Sequence, residues 1–268
     1  MGSILNNISS LAAQRNLAQS EKKLTSTIGH LSTGLRINKA ADDAAGLQIS
    51  NNLRADIRIL QQARRNANDG IGIITIADGV MEEATNLLTR AAQLAEQAAS
   101  GHTSSAGRVA LNQEFGQIVI AITNLGTDTL YDGSAIFGAS FSIQVGDASV
   151  QDVLINPSSL SATSLGIAAD NLATSTAAET ALGTIQTAIS QISATRGNLG
   201  ASQARLETII NSLAITAENV QAAESQIRDA EIAEEVVALT RNQILVQTGT
   251  SALAQANVQA QSVLSLLQ

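Results

Sequence analysis

Few side chains in this sequence have the types and spacing that catalysis or metal binding requires. The chain has no cysteine, which excludes disulfides, thiolate ligands and cysteine nucleophiles. Neither of its two histidines, His30 and His102, has a second histidine or a carboxylate at the spacing of a metal site. The segment 70–72 reads Gly-Ile-Gly but lacks the third glycine of a dinucleotide fingerprint, and no nucleophile elbow or phosphate-binding loop occurs. We therefore predict that the protein is not an enzyme and requires no metal or cofactor.

Three acidic doublets are the remaining groups that could act as acid and base, at residues 42–43, 82–83 and 234–235. Adjacent carboxylates in helical sequence are more typical of solvated helix faces and helix caps, and we interpret them in that way. The net charge is −8 and no basic stripe is present. An acidic surface of this kind is unsuited to nucleic acid, so we predict no nucleic-acid partner.

Both ends of the chain carry apolar residues at the seven-residue spacing of a coiled coil. Chain ends normally bury little surface, so an apolar seam at each end indicates that a partner helix covers it. We predict that the two terminal helices pair with each other and also contact other copies of the chain. The predicted self-assembly seam consists of Leu17, Leu24, Ile28, Leu31 and Leu35 at one end and of Leu239, Val246, Leu253, Ala260 and Leu267 at the other.

Composition favours thin helical packing over a globular core. Apolar residues make up 44% of the chain and aromatic residues only 1%, so Ala, Leu, Ile and Val must form the core. Such small side chains let helix backbones approach closely. We predict a mainly α fold: a long antiparallel helical rod or coiled coil with a small β-hairpin region and paired N- and C-terminal helices.

The periodicity along the chain predicts the order of the elements. A first helix is expected over residues 4–35, followed by a connector in which Asn38 or Asp42 caps the next helix. From Leu47 a helix of about 55 residues would extend ~80 Å, and a shorter helix follows it. Alternating residues around Phe141 then predict β-hairpins at about 137–160. Helical periodicity returns from about Thr176 and continues to the end of the chain.

Three glycines interrupt the predicted long helix, at Gly70, Gly72 and Gly79. Each costs up to about 1 kcal/mol of helix stability relative to alanine. One interpretation is close approach of a neighbouring helix, and the alternative is local softness that lets the helix bend.

No secretory signal peptide and no membrane span are predicted. The first basic residue is Arg15 without a long apolar run after Met1, and the longest apolar stretches are far shorter than the ~20 residues of a transmembrane helix. We expect a protein with no membrane partner, whose export would use another route.

Several short segments stand out along the chain. They are SILNN (3–7), LRINKAADDAAGLQIS (35–50), ARRNANDG (63–70), GNLGA (197–201), RLE (205–207), EN (218–219), IRDAE (227–231), QAN (255–257) and VLSLL (263–267). In this order they resemble segments of bacterial flagellin. The resemblance extends over nearly the whole chain and favours a structural subunit.

The resemblance implies a subunit that self-assembles into the bacterial flagellar filament for motility. Residues 1–38 and 233–268 would form the inner terminal coiled-coil domain, and residues 39–232 a rod domain without the variable outer domains of many flagellins. The implied location is the extracellular filament, reached unfolded through the flagellar type III export apparatus. The implied partners are many copies of the same chain, a flagellar export chaperone, and the hook-associated and cap proteins.

A possible contact with the vertebrate innate immune receptor is also implied by the resemblance. The segment 88–97 matches the family's receptor motif at Arg90, Leu94 and Gln97. It departs from that motif at Thr89, Gln93 and Glu96. Gln93 removes one acidic group from the motif and Glu96 adds another, and this change would alter a charge-sensitive contact. We therefore expect weak or absent receptor activation.

Three alternatives to a filament subunit differ in what they require. A hook-filament junction protein shares the terminal regions and differs in its abundance in sheared flagella. A chemoreceptor-like signalling coiled coil would need a membrane anchor, for which no span is visible. A small-molecule enzyme would need a pocket with polar groups that the sequence does not supply.

Overall fold

The computed structural model describes residues 7–146 and 152–265, with side chains described as far as Val258. Within those ranges the chain forms long helices and two short antiparallel strand pairs, as predicted, and the first and last helices pack together. The elements in chain order are α1 (Ile8–Thr33), α2 (Ala44–Ala99), α3 (Ser105–Asp128), β1 (Leu130–Tyr131), β2 (Ser134–Ala135), β3 (Phe141–Gln144), β4 (Asp152–Ile155), α4 (Ser175–Arg228) and α5 (Ile232–Ser265).

Local capping explains where α1 begins and ends. The Asn7 side chain accepts the backbone N–H of Ser10 at 3.1 Å, which satisfies one of the free donors of the first turn. Gly34, with φ of +71°, ends the helix in the left-handed conformation that glycine adopts without steric cost. The predicted start at residue 4 lies outside the described residues.

The N-cap of α2 differs from the sequence prediction. Asp43, rather than Asn38 or Asp42, accepts the N–H of Gly46 at 2.9 Å and occupies the capping position. Asp42 accepts the N–H groups of Asn38 and Lys39 instead, and these hydrogen bonds lower the pKa of its carboxyl below the ordinary 3.8. Asp42 therefore stabilises the turn of the connector, and Asp43 caps α2.

The contacts within the chain divide it into two compact units. Unit 1 comprises Met1–Ile57 with Asn219–Gln268, and unit 2 comprises Arg58–Glu218. The predicted domain division at residues 38/39 and 232/233 stays a prediction. Within unit 1 the buried Ser50 hydroxyl of α2 donates to Glu224 of α4 at 3.2 Å.

The core of unit 2 confirms that small side chains do most of the packing. Ala77, Ala84, Ala91 and Ala98 recur at seven-residue spacing along α2 and are completely buried. On α4, Ala178, Ala181 and Ala188 are likewise completely buried, with Ile185 among them. Alanine at these positions lets two long helices approach closely, as the low aromatic content predicted.

The irregular segment 156–174 is held firmly against the helices of unit 2. It buries Leu160, Ile167 and Leu172, which are 3%, 0% and 0% exposed. The Leu172 N–H donates to the Asn112 side chain at 2.7 Å, so the segment is fixed to α3. At Gly126 of α3 the carbonyl oxygen of Leu160 lies 1.7 Å from the position that a Cβ would occupy.

The hairpins lie within the predicted region and just before it. In β1 and β2, Asp132 and Gly133 form a two-residue turn with φ of +49° and +75°, the geometry of a tight hairpin turn. In β3 and β4, Phe141 lies opposite Ile155, and the buried Ile155 faces the core. Asp147, part of the predicted turn between these strands, lies outside the described residues.

The three glycines of α2 have different surroundings. A Cβ at Gly70 would lie 3.1 Å from Ile143 and 3.3 Å from Leu206, so close approach of other elements accounts for this glycine. Among the residues that the structure describes, no atom lies within 4 Å of a Cβ at Gly72 or at Gly79. Close approach within the chain therefore does not explain those two positions.

Candidate functional site: the paired terminal helices

Helices α1 and α5 of unit 1 run in opposite directions against each other. The contacts between them follow one another in order along both helices. These contacts are Asn7 Nδ2 to the Ala256 carbonyl (2.9 Å), Ser10 Oγ to Asn257 Oδ1 (2.9 Å), Leu17 against Gly249, Asn242 Nδ2 to Thr27 Oγ1 (3.2 Å), and His30 Nδ1 to Glu235 Oε1 (2.9 Å).

Most of the predicted seam residues are partly buried in the single chain. These are Leu17, Leu24, Leu31, Leu35, Leu239, Val246 and Leu253. Ile28 differs, because 51% of it is exposed. The side chain of Ala260 and the whole of Leu267 lie outside the described residues. Partial burial means that the opposite terminal helix covers only part of the apolar surface at these positions.

Two polar residues lie inside this seam, and the search for apolar spacing missed them. Thr27 is 6% and Asn242 is 7% exposed, and they hydrogen-bond to each other. Each falls at the alternate position of the seven-residue repeat, between Leu24 and Leu31 on α1 and after Leu239 on α5. The signal in the sequence is their spacing, because Thr27 and Asn242 each lie three residues after a leucine of the seam. A buried polar pair of this kind favours one alignment of two helices over others.

The ionisable groups at this site have structural roles. His30 lies in the last turn of α1 and pairs with Glu235, each side chain being 18% exposed. Glu234 and Glu235 lie in the first turn of α5, where negative charge is favourable at a helix N-terminus. His102 lies in unit 2, outside this site, where it hydrogen-bonds to the Ser100 hydroxyl at 2.7 Å in an exposed turn.

A row of exposed apolar side chains lies on α5 beyond its contact with α1. We call this surface the α5 outer face. Its apolar residues are Val236, Val237, Ile244 and Leu245, and together with Thr240 and Arg241 they line a shallow groove. Val237 is 62% and Ile244 is 58% exposed. On α1, Ile8 and Leu11 are 71% and 52% exposed. Contiguous exposed apolar residues are typical of surfaces that bind another protein.

Unit 2 contains the residues of the expected receptor contact. Arg90 is exposed, and its guanidinium donates to Glu114 of α3 at 2.9 Å and 2.7 Å. Gln97 is also exposed. Leu94 is only 1% exposed and belongs to the core, so it is not part of the surface that Arg90 and Gln97 present.

The described residues contain no group of three or more histidine, aspartate or glutamate side chains placed to hold a metal ion. Of the helices in the described ranges, none combines the length and hydropathy that crossing a membrane would require.

Comparison with known proteins identifies the family. Two family models match: the bacterial flagellin N-terminal helical region over residues 4–142 and the bacterial flagellin C-terminal helical region over residues 182–267. The flagellar filament 33 kDa core protein of Treponema phagedenis is 37% identical over 284 residues, and the flagellin of Halalkalibacterium halodurans is 38% identical over 270 residues. Each match covers 99% of both chains.

A solved structure agrees with these relatives. The crystal structure of Bacillus cereus flagellin is 26% identical, with a TM-score of 0.50, and the match covers 60% of this chain and 94% of that one. The chain belongs to the bacterial flagellin family.

Proposed function

We propose that this chain is a structural subunit that self-assembles into the bacterial flagellar filament. The observation that carries the proposal is the set of apolar side chains on α1 and α5 that the pairing of these helices leaves exposed. The family supports it, because relatives that match over their full length are named flagellin or flagellar filament core protein. No catalytic role accompanies this function in our proposal.

Burial of the α5 outer face by neighbouring copies would supply the free energy of assembly. Fully burying one Val, Leu or Ile side chain contributes about 1.5–3 kcal/mol. Val237, Ile244 and Leu245 are 62%, 58% and 45% exposed, so much of this contribution is still to be gained. Ordering a helix costs conformational entropy, and most of the stability of a helix in a protein comes from packing of its apolar face. Folding of the terminal helices would therefore be coupled to polymerisation.

The finer assignments rest on the family resemblance. The filament subunit would leave the cell unfolded through the flagellar type III export apparatus and would reside in the extracellular filament. Its partners would be other copies of itself, an export chaperone, and the hook-associated and cap proteins. The predicted seam residues would bury their remaining exposed surface in contacts between copies.

Electron microscopy of the purified chain after salt-induced assembly tests the proposal. The wild type is expected to form filaments. Val237→Glu should block them, because it places a charge on the α5 outer face where apolar burial is needed. Gln243→Glu is the matched control: Gln243 is exposed on the same helix but does not line the groove, so this variant should assemble normally. Particles that stay single in the wild type, or normal filaments from Val237→Glu, would contradict the proposal.

A further inference from the structure

The chain crosses itself within unit 1, at the breaks between α1 and α2 and between α4 and α5. We call this crossing the junction, and it joins residues 34–37 to residues 227–230. The backbone N–H of Arg36 donates to the Arg228 carbonyl at 2.7 Å, and the N–H of Ala230 donates to the Gly34 carbonyl at 2.9 Å. Leu35 lies opposite Asp229 in a short antiparallel bridge between these two hydrogen bonds.

Two arginines reinforce the junction reciprocally. The Arg36 guanidinium donates to the Ile227 carbonyl at 2.7 Å, and the Arg228 guanidinium donates to the Ile37 carbonyl at 3.3 Å. Each arginine therefore binds a carbonyl of the opposite segment. The Arg228 side chain is only 12% exposed and lies 3.9 Å from Glu224, so its charge is partly buried and compensated.

The contacts between α1 and α5 continue from the junction to the far end of the helix pair. The pair His30–Glu235 comes first and the buried pair Thr27–Asn242 second. At the far end the described hydrogen bonds are those of Asn7 and Ser10, and the neighbouring Ile8 is 71% exposed. The two segments at the junction are instead joined by backbone hydrogen bonds and by two charged side chains.

The entropy of loop closure favours one order in which the contacts of unit 1 form. Contacts between residues far apart in the chain pay the entropic cost of bringing distant segments together. Once the junction is closed, His30 and Glu235 are only a few residues from a fixed point, and each later contact closes only the short segment that follows. We propose that the junction is a latch that must close before α1 and α5 can pair, so that their pairing proceeds outward from Arg36 and Arg228 toward Asn7.

A disulfide reporter measures this pairing in the full-length chain, whether or not it assembles. A Cβ at Gly249 would lie 3.6 Å from the Leu17 Cβ, which suits a disulfide, and the chain has no other cysteine. The double variant Leu17→Cys/Gly249→Cys is titrated in a glutathione redox buffer at fixed pH. Its equilibrium gives the effective concentration of one thiol near the other. Along their helices, the two reporter cysteines lie nearer to the contacts of Asn7 and Ser10 than to the junction. A substitution in the junction must therefore act over a longer stretch of helix than a substitution at the far end.

The latch predicts an asymmetric result. Arg228→Gln in the reporter chain should lower the effective concentration about tenfold, the size expected for losing a charged hydrogen bond to a partly buried carbonyl. Arg36→Gln, which acts on the opposite segment, should lower it similarly. Ser10→Ala should lower it less than about twofold, because it removes only the contact with Asn257 at the far end, which forms last. Arg205→Gln, at an exposed arginine of α4, is the matched control and should leave it unchanged.

Two results would overturn the latch. One is an unchanged effective concentration in both Arg36→Gln and Arg228→Gln. The other is a loss in Ser10→Ala as large as theirs, which would mean that the helices pair without a preferred direction. Circular dichroism of each reduced variant shows whether the helices of unit 2 remain folded, and the two arginine variants check each other if one of them misfolds.

Discussion

At the scale of single residues, Gly126 shows how an irregular segment restricts a helix. The carbonyl of Leu160 occupies the space where a side chain at this position would begin. Gly116 lies on the same helix, ten residues earlier, and a Cβ there would have no atom within 4 Å. Gly116 and Gly126 therefore have opposite structural requirements, although both are glycines within the same helix.

Gly126→Ala is expected to destabilise unit 2 by about 1–3 kcal/mol, because the backbone of α3 or of the segment around Leu160 must move to accept the methyl group. Gly116→Ala is expected to stabilise it by up to about 1 kcal/mol through better helix propensity. Urea unfolding followed by circular dichroism measures both. Equal effects of the two substitutions would be inconsistent with this account.

The ion pair of Arg196 with Asp78 joins α4 to α2 within unit 2. Its two hydrogen bonds measure 2.6 Å and 3.1 Å, and the Arg196 guanidinium lowers the pKa of the Asp78 carboxyl below its ordinary 3.8. A carboxyl whose pKa is lowered by folding contributes stability above the ordinary pKa. That contribution is lost as the pH falls below 3.8 and through the lowered value.

Asp78→Asn should therefore cost stability at pH 6 and cost progressively less below pH 3.8. The cost at pH 6 should be below about 1 kcal/mol, because the Asp78 side chain is partly exposed and solvent screens the pair. Urea unfolding of wild type and variant across this pH range measures the difference, with Glu83→Gln as an exposed control. A cost that grows toward low pH would refute the assigned direction.

The expected contact with the innate immune receptor, in segment 88–97, also depends on individual residues. Arg90 is already bound to Glu114, and Leu94 is buried in the core. Together with the departures at Thr89, Gln93 and Glu96, this arrangement leads us to predict weak or absent activation of the innate immune receptor by purified monomer. A receptor reporter assay measures it. A strong response would show that these residues do not limit recognition.

At the scale of the elements, the seven-residue repeat explains why α1 and α5 pair. Leu17 of the repeat on α1 meets Gly249 on α5. Thr27 and Asn242 satisfy each other inside the seam. Removing one partner of a buried hydrogen bond leaves the other unsatisfied, whereas removing both exchanges a polar contact for an apolar one.

We therefore expect Asn242→Leu alone to weaken the pairing of α1 and α5 by about 1–3 kcal/mol, because the Thr27 hydroxyl loses its partner. The double variant Thr27→Val/Asn242→Leu should recover most of this loss. Thermal unfolding of the full chain, with Thr27→Val as the second single variant, completes a double-mutant cycle. Additive losses would indicate that the two side chains do not interact.

Much at this scale was predictable from local signals. The existence of α1, of a very long α2 and of a returning α4 followed from apolar periodicity, which depends on neighbouring residues in the chain. The choice of Asp43 as N-cap did not follow, because Asp42 and Asp43 offer the same carboxylate. Only the fold of the connector, which turns Asp42 toward the N–H groups of Asn38 and Lys39, distinguishes them.

At the scale of the whole molecule, unit 1 contains both chain ends and unit 2 contains the middle of the chain. Deleting residues 1–33, which removes α1, should leave the core of unit 2 intact, since its cluster of buried residues lies between positions 67 and 206. Deleting residues 232–268, which removes α5, should do the same. We expect both truncated chains to be helical monomers that form no filaments under conditions in which the full chain does.

Circular dichroism and electron microscopy test this expectation together. Loss of all helical structure in either truncation would mean that unit 2 depends on the terminal helices. Normal filament growth by a truncated chain would mean that contacts outside α1 and α5 are sufficient for assembly.

By itself the sequence determined the helical class, the order of the elements, the pairing of the terminal helices and the family. Apolar periodicity and the order of motifs depend only on which residues follow one another in the chain. Tertiary structure decided which side chains each helix covers. Ile28 belongs to the same repeat as Leu24 and Leu31 but stays half exposed, whereas Leu94 is buried in the core of unit 2. The reason is that periodicity fixes the angular position of a residue on its helix, whereas burial depends on the distance and orientation of neighbouring helices, which only the folded chain defines.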